Sequence, residues 1–241
     1  MYLIRAGKKV KKHNTIQANR KFQFIFYPFI VDFFIFIILF NRFEVNVFVY
    51  CILMSRIGIT GNPGVGKHTV TDLLSKKIKN SKIIDINKII ISNKAFNLET
   101  FEADLKKTRS FLLRELINND NVIIVGHLLP YIIKRNELDF IAILRRSPYS
   151  LIEVYKKRKY SNKKIHENII CEILGICFYD TLKVFGKKKI SEIDTTYDNP
   201  EESVKKIIYN YDYKSKRQIG LVDWLDLIYK NGDAEKFLNI N

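Results

Sequence analysis

The chain has 241 residues, of which 47% are hydrophobic and 27% charged, and its mean hydropathy is −0.09. These values are typical of a folded protein and exclude a mostly disordered or collagen-like chain. The 41 Lys and Arg outnumber the 25 Asp and Glu, and the net charge of +16 favours acidic partners such as nucleotides or RNA. The three cysteines match neither a C-x-x-C nor a zinc spacing, which excludes a disulfide scaffold and indicates reduced thiols in a cytoplasmic protein.

Residues 1–53 differ in composition from the rest, since they hold 10 of the 17 Phe. The apolar run 24–40 is about long enough for a membrane anchor, but it contains Pro28 and the costly Asp32. A secretory signal would explain the basic N-terminus, but no small-residue cleavage site follows. We favour a third interpretation, in which Met54 is the true start and the preceding segment is upstream sequence translated from a wrongly chosen start. A membrane is therefore not an expected partner.

Residues 54–241 form the predicted core domain, which stays basic with 33 Lys and Arg against 23 Asp and Glu. It opens with a β-rich run, 56–60, followed by the glycine-rich sequence Gly61-Asn-Pro-Gly-Val-Gly-Lys67 and by a segment, 70–78, with apolar residues at helical spacing. Strand, loop and helix in this order predict a P-loop. Its backbone N–H groups and the helix N-terminus bind phosphate, and Lys67 reaches the β- and γ-phosphates.

One position of the loop departs from the usual pattern. The residue after Lys67, whose hydroxyl ordinarily binds Mg²⁺, is His68, and Thr69 follows one position late. Mg²⁺ prefers hard oxygen ligands, so an imidazole is a poor substitute. Either water replaces the hydroxyl or catalysis is weakened while binding survives, and Thr69 is the candidate metal ligand.

Four further apolar runs predict strands at 82–86, 121–125, 140–144 and 189–193, with helical segments between them. Continuous apolar runs that alternate with helices indicate a parallel sheet covered on both faces, with the ligand at the carboxyl ends of the strands. The prediction is an α/β protein: a P-loop NTPase with three α/β/α layers around a five-stranded parallel sheet.

Polar residues end these strands and are expected to converge on the phosphate site: Asp85, Gly126-His127, Arg145-Arg146 and Asp194-Thr195-Thr196. Of these, Arg145 is expected to neutralise charge on the transferring phosphate. The basic stretch 158–168 lies between two helical runs and is interpreted as a lid, whose arginine would pair with phosphate while closure excludes water. A solvated connection between helices is the alternative interpretation.

Several motifs, in one order along the chain, resemble the adenylate kinase isoenzyme 6 type family, which includes archaeal proteins and a eukaryotic nuclear protein linked to maturation of the small ribosomal subunit. They are Ile57-Gly-Ile-Thr-Gly-Asn-Pro-Gly-Val-Gly-Lys67, Gly126-His127, Ile143-Leu-Arg145, Arg158-Lys-Tyr-Ser161, Glu167-Asn-Ile-Ile-Cys-Glu-Ile173, Glu192-Ile-Asp-Thr-Thr196 and, as in archaeal members, Gly220-Leu-Val-Asp-Trp-Leu225.

The resemblance implies a nucleoside monophosphate kinase that uses ATP and Mg²⁺ to phosphorylate AMP. It also implies ATPase activity, a role in small-subunit maturation, the ribosomal protein uS11 as a partner and pre-ribosomal RNA as an indirect one. Catalysis would depend on Lys67, on Arg145, on Arg158 in a lid near 157–168, and on His127, which would orient the attacking group. The implied ATP contacts are Gly61, Gly64, Val65, Gly66, Lys67, His68, Thr69 and Arg158. The acceptor region would lie near 85–104, with the candidates Asp85, Lys88, Lys94 and Asp104.

Two departures from the family fall on this machinery. The acidic residue that the family has two positions before His127 is Val125 here, so that with His68 both expected holders of Mg²⁺ lack an oxygen. Between 85 and 103 there is no Arg, and Lys88 and Lys94 offer point charges without a bidentate fork. These departures favour an alternative hypothesis, a ribosome assembly factor whose nucleotide state switches its grip on protein or RNA.

Overall fold

In a computed structural model of the chain, the structure describes residues 55–97, 102–119 and 121–238. The predicted apolar extension, 1–53, and Met54 lie outside the described residues. All five predicted strands are confirmed to within two residues: Arg56–Thr60 (β1), Lys82–Asp85 (β2), Val122–Val125 (β3), Phe140–Arg145 (β4) and Ile190–Asp194 (β5).

The helices of the described residues separate the strands and complete the chain after β5. Before β4 they are Lys67–Lys77 (α1), Ile86–Ser92 (α2), Leu105–Ile117 (α3), Leu129–Ile132 (α4) and the 3₁₀ turn Arg135–Glu137. After β4 they are Pro148–Lys157 (α5), Asn162–Ile173 (α6), Ile176–Phe185 (α7), Pro200–Asp212 (α8), the 3₁₀ turn Lys214–Lys216, Trp224–Lys230 (α9) and Ala234–Leu238 (α10).

The strands pair in the order β2-β3-β1-β4-β5, and every pair is parallel. The P-loop strand β1 is therefore central, with β3 on one side and β4 on the other. The chain order reverses at this strand, and in open parallel sheets a ligand binds in the crevice at such a switch point, outside the carboxyl ends of the strands. The topology places the loop after β1 at that crevice.

Two helical layers cover the sheet because alternate residues of each inner strand face opposite sides. Ile57, Ile59 and Val125 belong to the buried cluster that includes residues of α1, α5, α6, α8 and α9. Ile124 and Ile141 belong to the other cluster, with residues of α2, α3, α4 and α7. The predicted three-layer α/β/α architecture with a five-stranded parallel sheet is confirmed.

Candidate functional site

The loop between β1 and α1 has a backbone that requires glycine. Gly61 has φ +137°, and a Cβ there would lie 2.3 Å from the carbonyl oxygen of Leu144. Gly66 has φ +92°, begins α1 as its N-cap, and has open space where a Cβ would be. Both positions fall in the left-handed region, where residues with a Cβ are strained.

Side chains from distant elements hold the carbonyl groups of this loop. Tyr155 Oη in α5 donates to Pro63 O over 2.6 Å, and Thr195 Oγ1 after β5 donates to Val65 O over 3.0 Å. None of the backbone hydrogen bonds among the described residues begins at the N–H groups of residues 64–69. These N–H groups are therefore donors for an anion at the N-terminus of α1, where the helix dipole also favours negative charge.

Lys67 is the buried cation of the loop, with 7% of its surface exposed. Its Nζ donates to the carbonyl oxygen of Asn62 over 2.7 Å. Burial lowers the pKa of Lys67 to about 8, and the charge of Arg158 opposes its protonation while Glu172 and Asp85 favour it. A bound phosphate would stabilise the charged form of the Lys67 amine, which burial disfavours.

This lowered pKa predicts proton uptake when a nucleotide binds. At pH 9 the Lys67 amine of the unbound chain is mostly neutral, because its pKa is about 8, and a bound phosphate raises that pKa. We expect an uptake approaching about one proton at pH 9 and a smaller uptake at pH 7.5. Calorimetry of ADP binding in buffers of different ionisation enthalpy measures it, and equal uptake at both pH values would contradict the assignment.

Glu172, on α6, joins the loop to the rest of the protein through a carboxylate that is almost fully buried (side chain 1% exposed). Asn62 Nδ2 donates to its Oε2 over 2.7 Å. Arg145 Nε and Trp224 Nε1 donate to its Oε1 over 2.8 and 3.0 Å. The sequence contained Glu172 and Trp224 only as members of motifs and gave neither a role. No local pattern reveals that Glu172 accepts from both Asn62 of the P-loop and Trp224.

Arg145, which was expected at the phosphates, lies in the same buried network as Glu172. Its guanidinium does not end at an open phosphate site but is buried between two carboxylates, with Nη1 donating to Glu192 Oε1 over 2.7 Å and Nη2 donating to Glu172 O over 3.0 Å. Arg145 is the last residue of β4, and a side chain at the end of a buried strand can point either to the phosphate site or into the protein. Arg145 therefore holds Glu172, which in turn holds the loop.

His127 is placed near Lys67, as expected of the residue after β3. Burial lowers the pKa of His127 below its usual value, and the charge of Lys67 lowers it further. His127 also lines an open cleft of about 790 Å³ beside α2 and α3. Apolar side chains dominate the lining that the described residues provide, among them Ile90, Ile91, Phe96, Leu105, Leu128 and Tyr131.

The predicted acceptor residues, Asp85, Lys88, Lys94 and Asp104, are not among the described residues that line this cleft. Asp104 is the N-cap of α3, where its carboxylate accepts from Lys107 N over 2.9 Å. Lys88, in α2, and Lys94, directly after it, are both exposed. Arg109, the first arginine beyond the region, is occupied by Glu137 at 2.6 Å. The structure thus gives Asp104 a capping contact and no arginine to the described lining of the cleft.

The connection between α5 and α6 is shorter than the predicted lid, 157–168. Lys157 ends α5, residues 158–161 join α5 to α6, and residues 162–168 form the first half of α6, which Ser161 caps by accepting from Lys164 N. Arg158 is exposed at the end of α5, close enough to Lys67 for their charges to interact. The charge of Arg158 thus acts on Lys67 of the loop.

The residues near the loop can hold the Mg²⁺ of a bound nucleotide only through oxygen atoms that lie outside the two usual ligand positions. His68 and Val125 offer no oxygen, and among the described residues no group of three or more His, Cys, Asp or Glu could hold a metal ion. The hydroxyl of exposed Thr69 and the carboxylate of Asp85, whose Oδ2 lies 3.0 Å from His68 Nε2, do offer oxygen. Because Mg²⁺ keeps several waters and binds nucleotide phosphates, one or two such donors suffice.

The fold and the loop together define a P-loop NTPase. Residues 57–175 match a family described as an AAA domain. The 1.7 Å crystal structure of shikimate kinase from Bacteroides thetaiotaomicron shares the fold, with a TM-score of 0.50 and 18% identity over 66% of this chain and 99% of that one. Within the described part of this chain, no helix is both long and apolar enough to span a bilayer.

Sequence relatives show the family. A protein of Methanococcus maripaludis described as "Putative adenylate kinase" is 30% identical over 179 residues, which are 70% of this chain and 95% of the relative. A protein of Methanocaldococcus jannaschii with the same description is 33% identical over 176 residues, 71% of this chain and 93% of the relative. The chain belongs to this adenylate-kinase-like family, the one that its motifs resemble.

Proposed function

We propose that the chain is a nucleoside monophosphate kinase that transfers the γ-phosphoryl group of ATP to AMP. The observation that carries the proposal is the proximity of two features: the N–H groups of residues 64–69, which donate no backbone hydrogen bond, and the apolar cleft lined by His127, whose pKa the charge of Lys67 lowers. The first feature suits the phosphates of a donor nucleotide, and the second suits the base of an acceptor. The description of the archaeal relatives supports AMP as that acceptor.

In this proposal catalysis consists of positioning and charge stabilisation, as is usual for phosphoryl transfer. Lys67 and Arg158 would neutralise the phosphates of ATP, and neutral His127 would orient the attacking phosphate oxygen of AMP. Lys88 in the first turn of α2 and Lys94 beyond its C-terminal end, both exposed, would attract the acceptor phosphate. Thr69 would help to hold Mg²⁺, which when bound would offset the negative charge of the nucleotide phosphates. Water in place of AMP would give a slower ATPase reaction.

The full chain with ATP and Mg²⁺ is expected to form ADP when AMP is supplied and little when AMP is omitted. Chromatography of the nucleotides measures this, and AMP should be compared with CMP, UMP and GMP as acceptors. Since the lining of the cleft is mostly apolar and carries no arginine among the described residues, we expect a high KM for AMP rather than a low kcat. Formation of ADP at the same rate without any acceptor would contradict the kinase assignment.

A second candidate function rests on the altered metal ligands and the charge. We propose as the alternative a nucleotide-switched assembly factor for the small ribosomal subunit, which binds uS11 and, through it, pre-ribosomal RNA. His68 and Val125 in the usual ligand positions support slow turnover, and the excess of basic residues in 54–241 supports an acidic RNA-rich partner. Phosphate release that is independent of AMP but accelerated by purified uS11 would favour this function.

A further inference from the structure

Strand β2, which lies beside β3, carries a carboxylate at the register position of Val125, the residue that replaces the acidic residue of the family. Asp85 at the end of β2 is the register partner of Val125 at the end of β3, and Val125 is in turn the register partner of Ile59 in β1. Partners in adjacent strands have side chains on the same face of a sheet. Asp85 therefore lies on the strand beside Val125, at the same register position and with its side chain on the same face of the sheet.

Direct contacts confirm which face Asp85 occupies. Val125 packs in the cluster with Val70 and Leu74 of α1, and the Asp85 carboxylate contacts His68 of the same helix, with 3.0 Å between Oδ2 and Nε2. The two departures from the P-loop pattern thus meet in one place. The residue that replaces the hydroxyl at position 68 touches the carboxylate that lies beside position 125.

The Asp85 carboxylate is also fixed in place and close to the phosphate region. Its Oδ1 accepts from Asn87 N and Lys88 N over 2.9 and 3.3 Å, which caps α2, so the remaining oxygen is the one directed to His68. Only 6% of its side chain is exposed, whereas 57% of the His68 side chain is. The negative charge of Asp85 reaches Lys67, the residue that binds phosphate in the proposed function.

We propose that Asp85 supplies the carboxylate that holds the Mg²⁺ of a bound nucleotide, directly or through its water shell, with His68 as the residue that orients it. A carboxylate together with the nucleotide phosphates is the usual way in which proteins bind this ion. The metal site has therefore moved by one strand rather than been lost. The proposal rests on the proposed function only in that a nucleotide occupies the P-loop.

The test is Asp85→Asn in the full chain, because asparagine keeps the shape and the capping acceptor of the side chain and removes only the charge. Calorimetry gives the affinity for ADP in Mg²⁺ and in EDTA, and titration of Mn²⁺ onto the protein with ADP, with free Mn²⁺ followed by electron paramagnetic resonance, gives the metal affinity. We expect the gain in ADP affinity from Mg²⁺, and the affinity for Mn²⁺, to fall at least about tenfold in the variant.

Asp223→Asn is the matched control, since Asp223 caps α9 with the same type of contact, to Asp226 N over 2.9 Å. It should leave both quantities as they are in the unchanged chain. Equal Mg²⁺ dependence and equal Mn²⁺ affinity in Asp85→Asn and the unchanged chain would overturn the proposal while ADP binding, and with it the proposed function, stands. Failure of the unchanged chain to bind ADP in either medium would overturn both.

Discussion

Replacement of Lys67 by methionine is expected to lower ATP affinity by about a hundredfold and the rate of phosphoryl transfer by a hundredfold to a thousandfold. The ammonium group is the buried cation of the P-loop, and its present partner, the carbonyl oxygen of Asn62, is neutral. Methionine keeps the apolar stem in place and removes the charge that would bind the β- and γ-phosphates. Calorimetry with ATP and the AMP-dependent formation of ADP measure the two effects.

Stability separates this loss from unfolding. Because burial lowers the pKa of Lys67 from 10.5 to about 8, the charged amine costs the folded state about 3 kcal/mol at pH 7, a cost that is relieved as the pH rises from 8 to 10.5. Lys67→Met should therefore unfold at an equal or higher denaturant concentration at pH 7. Lys76→Ala, at an exposed position of the same helix, is the control and should bind ATP normally. Unchanged ATP binding in Lys67→Met would contradict the account of the loop.

Replacement of Glu172 by alanine is expected to lower the free energy of unfolding by about 3 to 5 kcal/mol, with a fall in Tm of roughly 10 °C. The substitution leaves the buried guanidinium of Arg145 with one carboxylate, Glu192, and the backbone carbonyl of residue 172, and it removes the acceptor of Asn62 Nδ2 and Trp224 Nε1. Buried donors without acceptors are the costly consequence. Urea unfolding followed by the fluorescence of Trp224, the single tryptophan, measures the change.

Nucleotide affinity should fall in the same variant, because Asn62 belongs to the P-loop and supplies the carbonyl that holds Lys67. Glu167→Ala, at an exposed position of the same helix, is the matched control and should change the free energy of unfolding by less than about 0.5 kcal/mol. If Glu172→Ala were as stable as this control, the buried network would have no structural importance.

The sequence was sufficient to predict the architecture because the fold depends on local patterns. β3 and β4 are short, almost wholly apolar runs, and in a sheet covered on both faces such runs need not alternate with polar residues. The P-loop could be located because Gly61 and Gly66 occupy backbone conformations that other residues rarely adopt. Both signals are contained in a few consecutive residues.

The contacts of the site could not be predicted, because they join residues far apart in the chain. Arg145 was expected at the phosphates, but its direction is decided by Glu172 and Glu192, which lie 27 and 47 residues later. Likewise, the relation of Asp85 to Val125 depends on the register of two strands separated by 36 residues. The position of a residue in the sequence indicates the strand or helix from which its side chain extends, but it does not determine which distant residue that side chain contacts.

The fate of the γ-phosphoryl group of ATP distinguishes a nucleoside monophosphate kinase from an ATPase. The full chain is incubated with ATP labelled in the γ-phosphate, AMP and Mg²⁺, and the label is then separated into ADP and inorganic phosphate. We expect the label to enter ADP, this transfer to require AMP, and Lys67→Met to abolish it. Label found only in inorganic phosphate, at a rate unaffected by AMP, would contradict the kinase assignment.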